Sequence, residues 1–328
     1  MKDRVALVTG ATGFAGSHMM DALLAAGYRV RILVRRSSNL RWIPAGRVEQ
    51  VTADVREPEA LERLVAGVGS VFHFGGVTRA RSAEEFFRIN TGGTQALAEA
   101  FARTAPAGGL FLFCSSLAAG GPAAAAERPR RENDPPAPMS AYGRSKLAAE
   151  RWLEDQLARH LRVVSVRPPA VYGPRDESIL VFFRWARRGW LPLPAPAESR
   201  VSLVHGEDLA AACLALDEGG ATGVFHVSDG EIHRWEDVGA ATGRAMGRSL
   251  RKLRIPAWVV RAAGATAELG GRVTGRVPVV NRDKARDMLQ PYWTCDSTRA
   301  RAAGFRPQYG LDEGIAQTIR WYQSAGWL

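Results

Sequence analysis

The 328-residue sequence contains few lysines and few cysteines, and it has no long apolar run. Because no stretch of 18 or more residues is continuously apolar, the sequence predicts no membrane-spanning helix. Its cysteines, Cys114, Cys213 and Cys295, lie far apart without CxxC spacing, which argues against a disulfide framework and against a structural zinc site. The N-terminal residues also lack the pattern of a signal peptide. We therefore expect a cytoplasmic protein without a bound metal.

Basic residues outnumber acidic ones by 44 to 33, giving a formal net charge of +11, yet only four of the 44 are lysines. Strongly basic chains bind nucleic acids when their charges cluster in runs or alternate with aromatic residues. Here the arginines are scattered in short pairs such as Arg35–Arg36 and Arg187–Arg188. This pattern favours a solvated basic surface over a nucleic-acid partner. It also leaves Lys146 as an unusual choice that needs a reason.

Short apolar segments alternate with helical patterns in the first half of the chain. The segments that read as strands are 4–10, 28–34, 47–54, 70–74, 109–116 and 162–168. The segments with helical periodicity are 14–27, 57–67, 90–104 and 140–160. Such alternation predicts an α/β fold with a doubly wound parallel sheet of the Rossmann type.

The alternation weakens after about residue 174, where we expect a domain boundary. Residues 1–174 are expected to form the dinucleotide-binding domain, with 201–229 returning to it. Residues 175–200 and 230–328 are expected to form a smaller, mostly helical substrate lobe. The loop 117–138 is rich in Ala, Pro and Gly, and its length is typical of a functional lid.

Three glycines, Gly10, Gly13 and Gly16, lie between the first strand and the first helix. In a dinucleotide-binding turn the first glycine allows the tight turn and the second lets the backbone approach a pyrophosphate. The third lets the helix pack closely on the strand. Free N–H groups and the dipole at the helix start then favour the phosphates. Glycines also form ordinary turns, but this strand–turn–helix context favours a cofactor site.

The end of the second strand bears on the choice between NAD and NADP. A chain that selects NAD usually carries Asp or Glu there, whereas this one reads VRRSSN. Arg35 and Arg36 offer guanidinium groups to a 2′-phosphate, although one of the pair is expected to be only a surface charge. We therefore expect NADP(H) ahead of NAD(H). Asp54 follows the third strand, where it can accept from the adenine amino group or cap the next helix.

Lys146 lies four residues after Tyr142 on a helical segment, so the two side chains share a face. An ordinary tyrosine has a pKa of about 10, and a nearby ammonium is expected to lower it. Lysine also holds ribose hydroxyls in a geometry that arginine does not reproduce. Ser116, at the carboxyl end of the fifth strand, is placed to bind a substrate carbonyl. Each feature alone is ordinary, but their combination favours a catalytic site.

These motifs together resemble the extended short-chain dehydrogenase/reductase superfamily, over nearly the whole chain. One segment departs from the superfamily pattern, because HFGG has glycines where alanines are usual. The matching segments are TGATGFAG (9–16), ADV (53–55), HFGG (73–76), NTGGT (90–94), SS (115–116), YGRSK (142–146) and RPPAVYGP (167–174).

The resemblance implies that Tyr142 is the general acid in reduction and the general base in oxidation. It implies that Lys146 tunes Tyr142 and binds ribose, and that Ser116 polarises the carbonyl. It also implies a homodimer formed through helices 83–104 and 140–160. The cofactor contacts expected from the residues and the resemblance together are Gly10, Thr12, Gly13, Phe14, Gly16, Arg35, Arg36, Asp54, Val55, Phe74, Gly75, Val77, Asn90, Tyr142, Lys146, Pro168 and Val171.

The resemblance leaves the substrate open. Sugar-nucleotide dehydratases carry an Asp–Glu pair after the catalytic residue, where this chain has Leu117 and Ala118. Sugar-nucleotide epimerases hold NAD tightly and keep a glycine-rich stretch that segment 188–208 lacks. Aromatic residues at 182–190 favour a hydrophobic substrate. We expect first an NADP(H)-dependent oxidoreductase acting on a ketone or aldehyde, second an NAD-dependent sugar-nucleotide epimerase, and third a non-catalytic NADP-binding sensor or nucleic-acid binder.

Overall fold

The computed structural model describes residues 4–53, 58–194, 198–274, 277 and 281–328. Its strands are β1 (Val5–Thr9), β2 (Arg29–Val34), β3 (Glu49–Thr52), β4 (Ser70–His73), β5 (Leu110–Cys114), β6 (Arg162–Arg167), β7 (Ala170–Tyr172), β8 (Trp190–Pro194), β9 (Arg200–Val201), β10 (Leu203–His205), β11 (Gly223–His226), β12 (His233–Arg234), β13 (Arg251–Ile255) and β14 (Tyr292–Trp293).

The helices follow the strands in the order expected for crossover connections. A π-helical turn, Phe87–Gly92, joins the third helix to the fourth. The helices are α1 (Phe14–Ala25), α2 (Pro58–Val65), α3 (Ala83–Phe86), α4 (Gly93–Thr104), α5 (Leu117–Gly120), α6 (Ala141–Leu157), α7 (Leu180–Arg187), α8 (Gly206–Glu218), α9 (Trp235–Ala245), α10 (Ala257–Thr274), α11 (Arg282–Met288), α12 (Thr298–Ala302) and α13 (Leu311–Ser324).

The largest sheet in the described part of the chain has seven parallel strands in the order β11-β6-β5-β4-β1-β2-β3. The order reverses between β1 and β4, so the carboxyl ends of these two strands flank a crevice where ligands of such sheets bind. The doubly wound fold predicted from the sequence is confirmed. β11 lies at the edge of the sheet beside β6, so part of the segment 201–229 joins this sheet. The division of the chain into two domains stays a prediction.

Two apolar layers enclose this sheet. On one face α1 and α8 bury side chains such as Met19 and Leu209. On the other face α2, α4 and α6 bury side chains such as Phe101 and Leu153. Each large apolar side chain that is fully buried contributes roughly 1.5–3 kcal/mol relative to exposure, so these layers hold the strand ends in fixed positions.

The C-terminal half adds a further cluster in which α7, α9 and α13 pack around Phe183 and Tyr322. The segments 175–200 and 230–328 are mostly helical in their described elements, with α7, α9, α10, α11, α12 and α13. Short strands accompany these helices, because β8 pairs with β13 and β9 pairs with both β12 and β14. Within the described residues, no helix is long and apolar enough to cross a membrane.

The loop 117–138, for which a lid is the expectation, makes several backbone hydrogen bonds to the rest of the protein. The loop begins as α5, and the Ala137 N–H donates to the Gly120 carbonyl at 2.9 Å. The Ala123 N–H donates to the Tyr292 carbonyl at 2.8 Å, and the Arg130 N–H donates to the Thr294 carbonyl at 3.0 Å. These backbone bonds attach the loop to α5 and to the segment at β14.

Candidate active site

The glycine-rich turn between β1 and α1 has a shape that side chains would disrupt. Gly10 has a φ of 73°, and a Cβ there would lie 2.6 Å from the Phe74 carbonyl oxygen. A Cβ on Gly16 would lie 2.2 Å from the Gly10 carbonyl oxygen. Both glycines are therefore required by close backbone contacts, since real Cβ atoms do not approach so closely.

The start of α1 fits a phosphate group. Gly13 caps the helix without a side chain, and the first turn carries no acidic residue. The first N–H with a backbone partner inside the helix is that of Ser17, which donates to the Gly13 carbonyl at 3.0 Å. The N–H groups of Phe14, Ala15 and Gly16 thus remain as donors at the positive end of the helix dipole. Together with Thr12 in the turn, these groups would hold a dinucleotide pyrophosphate.

A buried hydrogen-bond chain stabilises the neighbouring strand ends. The Gly75 N–H donates to the Thr9 hydroxyl oxygen at 3.1 Å, and that hydroxyl lies 2.5 Å from His73 Nδ1. His73 Nε2 lies 2.9 Å from the Thr94 hydroxyl, which donates to the Asn90 carbonyl at 2.6 Å. Burial, with Lys146 nearby, lowers the pKa of His73 to about 3, so the ring is neutral. A neutral ring with one donor and one acceptor satisfies the whole chain.

Asn90 ties the loop after β4 to the helix α6. Its side-chain oxygen accepts from the Val77 N–H at 2.8 Å, and its amide donates to the Val77 carbonyl at 3.0 Å. The same amide donates to the Ser145 hydroxyl at 3.1 Å. Asn90 lies in the π-helical turn, a feature often found at functional sites.

The unusual glycines of HFGG have a steric reason. A Cβ on Gly75 would lie 2.9 Å from the Thr9 hydroxyl oxygen. A Cβ on Gly76 would lie 2.9 Å from the Asn90 side-chain oxygen. An alanine at either position would therefore require the Thr9 or the Asn90 side chain to shift.

Close packing of α5 on α6 brings Ser116 and Tyr142 to the same cleft. A Cβ on Gly143 would lie 2.3 Å from the Ala118 carbonyl oxygen, so only glycine allows this approach. The Ser116 oxygen accepts from the Ala118 N–H at 3.2 Å and caps α5. Because this bond uses a lone pair, the Ser116 hydroxyl proton remains for its hydrogen bond to Tyr142 or for one to a ligand.

Lys146 lines the same cleft as Tyr142, and its ammonium group is held by a backbone carbonyl. Its Nζ donates to the Cys114 carbonyl at 2.8 Å and lies 4.5 Å from the centre of the Phe113 ring. Burial lowers the pKa of Lys146. The expectation that Lys146 lowers the pKa of Tyr142 is wrong for this structure, because burial raises that pKa and the hydrogen bond from Ser116 only partly opposes the rise.

The cleft has a volume of about 510 Å³. The other predicted residues of this region lie in the turns just described and do not line the cleft. They are Gly10, Thr12, Gly13, Gly16, Gly75 and Asn90. Of the predicted site residues, those that line the cleft are Phe14, Phe74, Val77, Ser116, Tyr142, Lys146, Pro168 and Val171.

The predicted adenosine end of the cofactor site is only partly described. Asp54 and Val55 lie outside the described residues. Arg35 and Arg36 are exposed after β2, in a turn where the Ser38 N–H donates to the Arg35 carbonyl at 2.9 Å. The Ser38 hydroxyl oxygen accepts from the Arg35 N–H at 2.9 Å. Neither guanidinium has a hydrogen bond or ion pair to a described residue, so both side chains are available to an anion.

Sequence reasoning missed a second set of residues that line the cleft. Asp176 is buried on the loop after β7 and accepts from the Ser178 N–H at 2.7 Å, and burial raises its pKa to about 6. The other residues of this second set lie at α11, more than 130 residues beyond Tyr142 in the sequence. No sequence motif identifies them. The residues at this helix are Asn281, Asp283, Lys284 and Asp287.

No group of three or more His, Cys, Asp or Glu side chains in the described ranges is arranged to hold a metal ion. The site instead combines an anion-binding helix start at a topological switch point with Ser116, Tyr142 and Lys146. This fold and site define an NAD(P)-dependent enzyme of the extended short-chain dehydrogenase/reductase superfamily. Residues 6–227 match the NAD dependent epimerase/dehydratase family, and the chain belongs to that family.

Similar proteins include enzymes with different substrates. A ceramide reductase from Caulobacter vibrioides is 35% identical over 99% of this chain and 96% of its own length. The crystal structure of gox2253 has a TM-score of 0.81 with complete coverage of both chains, at 24% identity. The UDP-glucose 4-epimerase of Thermus thermophilus, in complex with NAD, has a TM-score of 0.77 at 25% identity, covering 98% of this chain and 99% of its own.

Proposed function

We propose that this protein is an NADP(H)-dependent reductase that interconverts a ketone and an alcohol on a hydrophobic small molecule. The observation that carries the proposal is the arrangement of Ser116 and Tyr142. Both line one cleft, Ser116 hydrogen-bonds Tyr142, and the raised pKa of Tyr142 keeps its phenol protonated at neutral pH. The protonated phenol is the form that acts as a general acid in reduction.

The residues have separate roles in the proposed reaction. When bound, the nicotinamide supplies the hydride. The Ser116 hydroxyl donates to the carbonyl oxygen and polarises it, and the Tyr142 hydroxyl transfers a proton to the same oxygen as the alcohol forms. Lys146, held by the Cys114 carbonyl, would donate to the hydroxyls of the nicotinamide ribose. Pro168 and Val171 would flank the nicotinamide.

The proposed preference for NADP(H) rests on the turn after β2. Arg35 and Arg36 are exposed and uncompensated by any described acidic partner, and the turn has no acidic residue for a ribose hydroxyl. Guanidinium groups bind phosphates through parallel charge-assisted hydrogen bonds. A 2′-phosphate would therefore be stabilised here and a bare ribose would not.

The proposed substrate class is a long-chain ketone related to ceramide. Apolar side chains, including Phe86, Pro169 and Leu209, line the cleft beside the catalytic residues. The 35% identity to a ceramide reductase supports a lipid over a sugar nucleotide. We further propose a homodimer formed through the helices of 83–104 and 140–160, which light scattering of the purified protein would test.

The test is NADPH oxidation, followed by the loss of its absorbance, with a ceramide-type ketone and with a plain long-chain ketone. We expect consumption of NADPH equal to the alcohol formed. In parallel, the protein is incubated with UDP-glucose, because the fold likeness to an epimerase at 25% identity makes sugar-nucleotide epimerisation the second candidate. UDP-galactose formed without net NADPH consumption would overturn the proposal.

A further inference from the structure

The helix α11 forms the cleft wall that faces the catalytic helix. The Asp283 carboxylate accepts from the Ala141 N–H at 2.8 Å, so α11 is joined to α6 one residue before Tyr142. The Trp293 indole N–H donates to the Asp287 carbonyl at 2.7 Å and holds the end of α11. These two bonds fix the position of the helix relative to the reacting groups.

The two aspartates on this wall differ in their partners. One carboxylate, that of Asp283, already accepts a backbone N–H. The other, that of Asp287, is about nine-tenths buried, and its Oδ1 has no hydrogen-bond partner among the described residues. A buried carboxyl oxygen without a partner is costly, and native structures retain one mainly where a ligand or a reaction uses it.

The groups around Asp287 do not supply a hydrogen bond to its Oδ1 atom. Ser140, which caps α6, hydrogen-bonds the carboxyl and lowers its pKa, although burial raises the pKa overall. Asp283 raises the pKa further, while Lys284 and Arg286 lower it, and both of these cations are exposed to solvent. Asp287 also lines the cleft beside Tyr142 and Ser140, so its carboxyl group borders the space that a substrate would fill.

We propose that Asp287 is a specificity-determining residue that accepts a hydrogen bond from a hydroxyl or amide N–H group next to the reacting carbonyl of the substrate. This rests on the proposed function and narrows its substrate class to ketones flanked by such a donor, as in an acylated amino ketone. A plain ketone leaves the carboxyl unpaired, and sites built to bind a donor reject analogues that lack it.

The experiment compares two ketones of equal chain length. One is 3-ketoceramide, which carries an amide N–H and a hydroxyl beside the ketone, and the other is the plain long-chain ketone. The ratio of their kcat/KM values is measured for wild type, for Asp287→Asn and for Asp287→Leu. We expect the ratio to fall about tenfold or more in Asp287→Leu and less in Asp287→Asn, which keeps an acceptor oxygen. Asp312→Asn, an exposed surface change, leaves the ratio unchanged.

The affinities of both compounds for the NADPH complex, measured by fluorescence titration, separate this proposal from the proposed function. Donor-dependent affinity that is lost on changing Asp287, without any NADPH oxidation, would support Asp287 and overturn the reductase proposal. Equal losses for both ketones, an unchanged ratio, or no binding of either compound would overturn the role of Asp287. If Asp287→Leu does not fold, the ratio for Asp287→Asn decides.

Discussion

The two walls of the cleft differ in how their polar groups are satisfied. On the cofactor wall, formed by the strand ends around Thr9, His73 and Asn90, a continuous hydrogen-bond chain joins the buried side chains. On the substrate wall, formed by Asp176 and α11, Asp287 keeps an unpaired buried oxygen and Asp176 has a raised pKa. The first wall is organised by the chain itself, whereas the second keeps one carboxyl oxygen, Asp287 Oδ1, without a partner among the described residues.

The largest loss of activity should follow a change at Tyr142, which lies between the two walls. Tyr142→Phe removes the phenolic hydroxyl, the assigned proton donor, so kcat should fall by about 10²–10⁴-fold. The dissociation constant for NADPH should stay within about threefold, because the cofactor wall is untouched. Stopped-flow or steady-state NADPH oxidation measures the first quantity and fluorescence titration the second, with Tyr292→Phe as the matched control. Retained turnover in Tyr142→Phe would refute the assigned role.

Removing a hydrogen-bonding side chain from the cofactor wall should lower the free energy of unfolding as well as the activity. Asn90→Ala removes three hydrogen bonds and leaves both Val77 backbone groups unpaired. The free energy of unfolding should fall by about 2–4 kcal/mol, as measured by urea denaturation. Asn39→Ala, which removes one exposed bond to the Arg41 N–H, should change it by under about 0.5 kcal/mol. Equal effects of the two changes would contradict the network.

The glycine-rich turn gives a smaller and more local test. Gly16→Ala forces a methyl group against the Gly10 carbonyl, so we expect a loss of roughly 1–3 kcal/mol and weaker NADPH binding. Gly270→Ala, at a helical glycine with nothing within 4 Å of the added Cβ, should stabilise the protein by about 0.5–1 kcal/mol. Thermal melts with and without NADPH give both quantities. A neutral Gly16→Ala variant would remove the steric argument for the turn.

Cofactor selection should respond to charge at the rim of the cofactor wall. Arg35→Asp should raise the KM for NADPH about tenfold and shift preference towards NADH, through loss of a charge-assisted bond and repulsion of the 2′-phosphate. The same measurement on Arg36→Asp shows how much each of the two arginines contributes to the preference for NADPH over NADH. If Arg35→Asp leaves the preference unchanged and Arg36→Asp changes it, Arg36 selects the cofactor.

The smallest effect should appear in the pH dependence of stability on the substrate wall. The pKa of Asp176 is about 6 in the folded protein, above its ordinary value of 3.8, so the folded state binds this proton more tightly than the unfolded state. Its contribution to stability therefore decreases as pH rises from about 4 to about 6. The Tm of Asp176→Asn relative to wild type should increase by about 2–4 °C between about pH 4 and pH 7. A constant difference would contradict the raised pKa.

The two walls also differ in how far the sequence predicts them. Gly10, Gly16, Ser116, Tyr142 and their strand–helix context follow local patterns, because parallel strands bring their carboxyl ends to one edge. The fold and the residues that meet in the cleft were predictable for that reason. The π-helical turn and the effect of burial on the pKa of Tyr142 were not, since both depend on packing among several elements.

The substrate wall was not predictable, because its position depends on contacts between distant segments. Asp283 bonds to the start of α6, 142 residues earlier in the sequence. The loop after β5 bonds to the segment at β14 through backbone groups, which no residue pattern in the sequence reveals. The same backbone bonds anchor the loop 117–138, for which the sequence favours a lid. Aspartates on a seven-residue helix have no pattern that distinguishes them from surface charges.

Fluorescence titration of the purified protein with NADPH and with NADH tests the central claim most directly, after the absorbance spectrum has been checked for cofactor retained through purification. The account predicts an exchangeable site that binds NADPH tightly and at least about tenfold better than NADH. A protein purified with NAD already bound, and unable to bind NADPH, would contradict the account and favour the epimerase.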